Sequence, residues 1–129
     1  MTEYGEFHDG TLEGLRVDSG RKKAHINLST TQRERTTIVL KDVVRLKADG
    51  FREGNIVFSV CSRTFEEITF ADITDLYDLD ASRQPATWEL ELAARIKKER
   101  LQILEITPSY GGTCTALAGS IEFLTGEPL

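Results

Sequence analysis

Short apolar runs separated by polar breaks make up the first half of the chain, and they constrain the fold more than any other feature. In "AHINL", Ala24, Ile26 and Leu28 alternate with polar residues, which is the period of a strand with one buried face. "TLEGLRV" is a similar run, and Gly14 inside it predicts a bulge. These runs predict a β-meander.

Two further runs belong to this meander. "TTIVL" is rich in β-branched residues, and "KDVVRL" either continues it or forms a separate short strand. "IVFSVC" is almost entirely apolar, which predicts a central strand covered on both faces.

One segment carries a clear helical pattern. In "WELELAARIKKER", Trp88, Leu92 and Ile96 recur every four residues, as on the apolar face of a helix. A shorter helix is predicted over "FADITDLY", where Thr69 and Asp72 have the spacing of a capping box. Thr64 and Glu67 offer an alternative start with the same spacing, and we favour the start at Thr69.

The chain returns to β-structure at its end. "LQILEI" and "CTALAGSIEFL" enclose the loop "TPSYGGT", which predicts a closing hairpin. In its second strand Cys114, Ala116 and Ala118 share one face of small side chains. Because small residues let a helix approach closely, we expect the Trp88 helix to lie over this face.

The predicted fold class is therefore α+β, as one domain over residues 1–129. We expect a mostly antiparallel sheet of about six or seven strands: a meander, then one or two helices, then the C-terminal hairpin. No apolar run reaches the roughly 20 residues of a membrane helix. The N-terminus is acidic and lacks a hydrophobic signal segment, so we expect a cytoplasmic location and no membrane partner.

Charge and cysteine content exclude two further classes. Lysine and arginine total 16 against 21 acidic residues, a net charge of −5, which argues against a general nucleic-acid binder. Cys61 and Cys114 are the only cysteines, too few for a zinc motif. We expect two buried free thiols.

The segment "FHDG" has two interpretations. His8 beside Asp9 is a pairing found in metal-dependent phosphohydrolases, but His25 is the only other histidine, so an ion would lack ligands and we predict no metal. The favoured interpretation is a turn in which Phe7 anchors in the core, Asp9 accepts backbone hydrogen bonds and Gly10 takes a positive φ.

No catalytic set emerges from the sequence. "PSYGG" around Ser109 lacks the G-x-S-x-G nucleophile elbow, so we expect a protein that is not an enzyme and needs no cofactor. The alternative is a small-ligand-binding or hydrolytic protein with a pocket formed by His8, Asp9, Ser109 and Tyr110.

The stretch "TDLYDLDAS" is a candidate partner surface. Asp75, Asp78 and Asp80 surround Tyr77, and acidic groups beside a tyrosine suit recognition of a basic protein. A sheet-mediated homodimer is a further possibility.

The order of "FHDG", "FREGNIVFSV" and "ITPSYGGTCTAL" resembles a loose group of small bacterial proteins. The Phe-His-Asp opening before a β-meander is also similar to some immunity proteins of polymorphic toxin systems. This resemblance implies a non-enzymatic binding module of the bacterial cytoplasm that blocks a toxin-like protein partner, and it supplies no established site residues.

Overall fold

The computed structural model describes residues 1–80 and 82–126 and shows an α+β fold on one antiparallel sheet of seven strands. The strands are β1 (Thr2–Glu3), β2 (Thr11–Asp18), β3 (Lys23–Ser29), β4 (Arg35–Asp49), β5 (Ile56–Arg63), β6 (Gln102–Tyr110) and β7 (Thr113–Thr125). The helices are α1 (Phe70–Leu76) and α2 (Thr87–Glu99), with 3₁₀ turns at Gly5–Phe7 and Phe65–Glu67. Within the described ranges, no helix has both the length and the apolar character to cross a membrane.

The sheet curls until it closes on itself. Its order is β1-β5-β2-β3-β4-β7-β6, and β5 pairs with β6 as well as with β1 and β2. The contact between β2 and β5 is narrow, with Thr11 opposite Ile56 and a bond from Leu12 N to Asn55 O of 2.8 Å. The predicted fold class, antiparallel sheet and C-terminal hairpin are confirmed.

The interior of the closed sheet is the larger apolar core. Cys114, Ala116 and Ala118 of β7 face into it, together with residues from β2 to β6. The prediction that the Trp88 helix covers these small side chains is wrong. Closure brings strands to face one another across the interior, so the small residues of β7 leave room for larger side chains opposite.

Both helices pack instead on the outer face of the sheet. Leu76 of α1 and Leu92 and Ile96 of α2 meet Ile103 and Leu117 in a second apolar core. The helical pattern therefore predicted the buried face of α2 correctly at two of its three positions. Trp88, the third, is 42% exposed.

The structure decides three sequence predictions about individual strands. β4 is one continuous strand, so "KDVVRL" continues "TTIVL", with a bulge between Val43 and Arg45. The bulge predicted at Gly14 also forms. The prediction that β5 is covered on both faces is wrong, because the helices cover β4, β6 and β7 and leave Ile56 and Phe58 exposed.

Both candidate capping boxes form. The Thr69 N–H donates to the Asp72 carboxylate at 2.7 Å, and α1 begins at the next residue as predicted. The Thr64 N–H donates to Glu67 at 3.1 Å, but this box closes only the 3₁₀ turn.

The two cysteines lie in different surroundings. Both thiols are free. Cys114 is buried inside the closed sheet, and burial raises the pKa of its thiol to about 12. Cys61 is only half-buried, with Sγ 3.8 Å from Glu3 Oε1, so the expectation of burial is correct for Cys114 and wrong for Cys61.

Candidate functional site

The N-terminal turn forms where the sequence predicts it, but the residue with a positive φ is not the predicted one. Phe7 is 2% exposed and anchors in the larger core. Asp9, with a φ of 63°, adopts the left-handed conformation assigned to Gly10, so that detail is wrong. Gly10 is needed for space, because a Cβ there would lie 2.3 Å from the Ser29 carbonyl oxygen.

His8 has a defined contact within this turn. Its Nδ1 lies 2.8 Å from the Phe58 carbonyl oxygen, so Nδ1 carries the proton, since a carbonyl oxygen only accepts. Its Nε2 lies 3.6 Å from Asp9 Oδ2. His25 is on β3, opposite Arg16 and Val39. Among the described residues, no group of three metal-ligating side chains could hold an ion.

The four residues of the predicted ligand pocket are divided between the two sides of β5. His8 and Asp9 lie on the side of β2, where the Asp9 N–H donates to the Val57 carbonyl at 2.9 Å. Ser109 and Tyr110 are exposed at the end of β6, on the other side of β5. His8 lines one shallow concavity and Asp9 another, and neither is lined by Ser109 or Tyr110.

An exposed apolar surface lies along the start of β5, the loop before it and the end of β6, and we call it the apolar strip. It consists of Phe51, Ile56, Phe58 and Tyr110, which are 40%, 42%, 57% and 45% exposed. Ile56 and Tyr110 are register partners on β5 and β6. Phe51 packs over Gly112, where an added Cβ would lie 2.5 Å from its ring.

The residues of the apolar strip are held in place by their neighbours. The register of β5 against β6 shifts on both sides of Val57, and Val57 is buried while Phe58 projects outward. The His8 ring packs edge-on against Phe58, with centroids 5.6 Å apart. The Tyr110 hydroxyl donates to Glu53 at 3.3 Å. The sequence indicated Tyr110 as a candidate binding residue but not the strip as a whole, because "IVFSVC" has the composition of a buried strand.

In the acidic stretch the tyrosine is partly enclosed, whereas Asp75, Asp78 and Asp80 are exposed. The Tyr77 ring is half-buried, 5.0 Å from the Trp88 ring and 4.7 Å from the Arg45 guanidinium. Asp78 pairs with Lys47 at 2.5 Å. Asp80 accepts hydrogen bonds from the backbone and hydroxyl of Ser82, and the backbone bond lowers the pKa of its carboxyl.

Asp75 lines a cavity of about 240 Å³ between α1 and the sheet. Arg63 also lines it and binds Asp72 through two hydrogen bonds of 2.6 and 2.9 Å and Glu105 through two of 2.6 and 3.0 Å. The Arg63 donors are thus engaged within the protein. Three threonines, Thr107, Thr113 and Thr115, also line the cavity.

The sequence indicated Asp72 as a cap but gave no signal for Arg63. Arg63 lies on β5 and Asp72 on α1, nine residues later in the chain. The capping box fixes only the start of α1, and the fold brings Arg63 to the Asp72 carboxylate. The arrangement ties α1 to β5 and β6.

Comparison with known proteins found no family model that matches the chain, no similar curated protein and no similar solved structure.

Proposed function

We propose that this chain is a non-enzymatic protein-binding module that docks its partner on the apolar strip. The observation that carries the proposal is Phe58, a large aromatic side chain that is 57% exposed and turned outward at a strand irregularity. Strand bulges re-aim side chains near functional surfaces. Clustered exposed apolar groups on a soluble domain are typical of interaction sites.

The composition of the strip indicates the kind of partner. Two phenylalanines and a tyrosine offer the aromatic anchors that dominate binding energy at protein interfaces. His8, Arg52 and Glu53 supply a polar rim. We therefore expect a folded protein that presents an apolar patch. The sequence resemblance implies an immunity-like role toward a toxin, and such a partner fits that role. Asp75 and Asp80 would then form a second contact, of acidic character.

The alternative of ligand binding or hydrolysis at His8, Asp9, Ser109 and Tyr110 has weaker support. His8 and Asp9 lie on one side of β5 and Ser109 and Tyr110 on the other. A partner protein could cover all four while binding the strip.

The test uses the wild-type chain and two matched variants. Phe58→Ser removes the centre of the strip, and Leu90→Ser removes an apolar side chain on α2 that is 53% exposed. A protein captured from the native cell is identified, purified and titrated against each variant by calorimetry. We expect Phe58→Ser to weaken binding by at least about tenfold and Leu90→Ser to leave it unchanged.

Three results would overturn the proposal. The first is equal binding by the Phe58→Ser variant, and the second is equal weakening by Leu90→Ser. The third is a wild-type dimer in sedimentation velocity that Phe58→Ser converts to monomer, which would assign the strip to self-association. For the immunity-like role, co-expression of the chain should restore growth of cells that produce the partner.

A further inference from the structure

A second surface of the sheet has the opposite chemical character. We call it the basic groove. Arg16, Lys23, His25 and Lys41 form its rim, with Arg21 at one end and Val39 as its floor. It is an open concavity of about 710 Å³ on the outer face of β2, β3, β4 and β7. The apolar strip lies on β5 and β6, so the two surfaces are separate.

The floor of the groove is apolar. Val39 is only 7% exposed, yet it belongs to neither apolar core. The register partners of Val39 on the neighbouring strands are His25 of β3 and Glu122 of β7. Long polar side chains therefore cover Val39 from the outside. Leu124 lines the same concavity. A ligand that displaced these covering side chains would meet aliphatic surface.

The charge of the groove opposes that of the whole chain. Four lysine and arginine residues line it against two carboxylates, while the chain carries −5. Elsewhere the cations of Lys47, Arg63 and Arg95 pair with carboxylates. Within the described residues, Arg16, Lys23 and Lys41 have no such pair.

These cations also repel one another. Lys23 and Lys41 flank the register pair Ala24–Leu40, so they are neighbours on adjacent strands. Like charges in such positions destabilise a sheet. Asp18, the register partner of Lys23, and Glu122 also line the groove, but neither forms an ion pair with Lys23 or Lys41 among the described residues. An anionic ligand placed over the groove would relieve the remaining repulsion.

We propose that the basic groove binds an acidic, partly aliphatic peptide segment of another protein. Carboxylates of the segment would meet Arg16, Lys23 and Lys41, and an aliphatic side chain would reach Val39. Nucleic acid fits less well, because bases bind on aromatic platforms and the groove offers only the imidazole ring of His25. The inference does not depend on the apolar strip.

Fluorescence anisotropy with purified protein tests the proposal. The probe is a short labelled peptide of alternating glutamate and leucine, compared with the same peptide carrying glutamine for glutamate. The test variant is Lys23→Gln with Lys41→Gln. The control, Lys97→Gln with Lys98→Gln, makes the same change of charge at exposed positions at the end of α2. Phe58→Ser reports on the strip.

We expect saturable binding of the glutamate peptide that weakens with salt, is lost with glutamine, and falls at least tenfold in the Lys23/Lys41 variant only. The Phe58→Ser variant should bind the glutamate peptide as the wild type does. A failure of the basic groove to bind is therefore distinguishable from a failure of the apolar strip. Absent or non-saturable binding, equal weakening in the control, or displacement of the peptide by an oligothymidine that binds more tightly would overturn the proposal.

Discussion

Asn55 joins three segments of the chain from a buried position. Its Oδ1 accepts hydrogen bonds from the Arg52 and Gly112 N–H groups, each at 2.8 Å, and its Nδ2 donates to the Arg52 carbonyl at 3.1 Å. Its own carbonyl accepts from the Leu12 N–H. The side chain is therefore what connects the "FREGN" loop to the turn between β6 and β7.

Replacing Asn55 with alanine should lower the free energy of unfolding by about 2 kcal/mol, because the buried Gly112 N–H and the part-buried Arg52 N–H both lose their acceptor. Urea unfolding followed by circular dichroism measures this. Asn55→Asp keeps the acceptor oxygen and should lose less. A loss in Asn55→Ala no greater than in Asn55→Asp would show that the acceptor is unimportant.

Two features require glycine at position 111: a positive φ and the lack of room for a side chain. Its φ is +86°, and a Cβ would lie 2.4 Å from Asn55 Oδ1. Gly126 has a φ of +81°, and no atom of the described residues lies within 4 Å of an added Cβ there. We expect Gly126→Ala to cost about 1 kcal/mol from conformation alone, and Gly111→Ala to cost about 1–3 kcal/mol more from overlap. Equal melting temperatures for the two variants would contradict this account.

At the scale of elements, α1 depends on a contact that its own sequence does not contain. A helix of seven residues is too short to be stable alone. Asp72 caps its N-terminus and also binds Arg63 of β5. Burial alone would raise the pKa of the Asp72 carboxyl, but hydrogen bonds from Arg63 and the Thr69 N–H outweigh burial and lower it.

A lowered pKa in the folded protein makes stability depend on pH in a defined direction. The contribution of Asp72 is complete above its unfolded pKa of about 4 and is lost as the pH falls through the folded pKa. Asp72→Asn should reduce unfolding free energy by about 1–2 kcal/mol near neutrality and flatten the loss in acid. Asp75→Asn, on the same helix, is the control and should retain the wild-type profile in urea titrations.

At the scale of the whole molecule, closure of the sheet joins the first strands to the last. β4 pairs with β7 over almost its full length, and β5 pairs with β6. Most of the core therefore forms between segments distant in sequence. Such a fold is expected to open as one cooperative unit.

Cys114 can report on that opening, because its thiol lies inside the closed sheet with a pKa raised to about 12. In a Cys61→Ser variant, alkylation of Cys114 by iodoacetamide should be at least about a thousandfold slower than in the unfolded chain. Cys61 in a Cys114→Ser variant should react faster. Labelling of Cys114 at the rate of Cys61 would show that the sheet opens locally.

The sequence by itself determined the local elements. Alternation placed β2 and β3, a four-residue repeat placed α2, and the Thr69–Asp72 spacing placed the start of α1. Each depends on neighbouring residues and on a period of two or 3.6, which are properties of the chain alone.

Only the tertiary structure decided which face each element buries. Closure turned the small residues of β7 into the interior and left Phe58 outside. It also placed Arg63 between Asp72 and Glu105. These outcomes depend on strand pairings between distant segments, and a local pattern of residues carries no information about which distant strand becomes its neighbour.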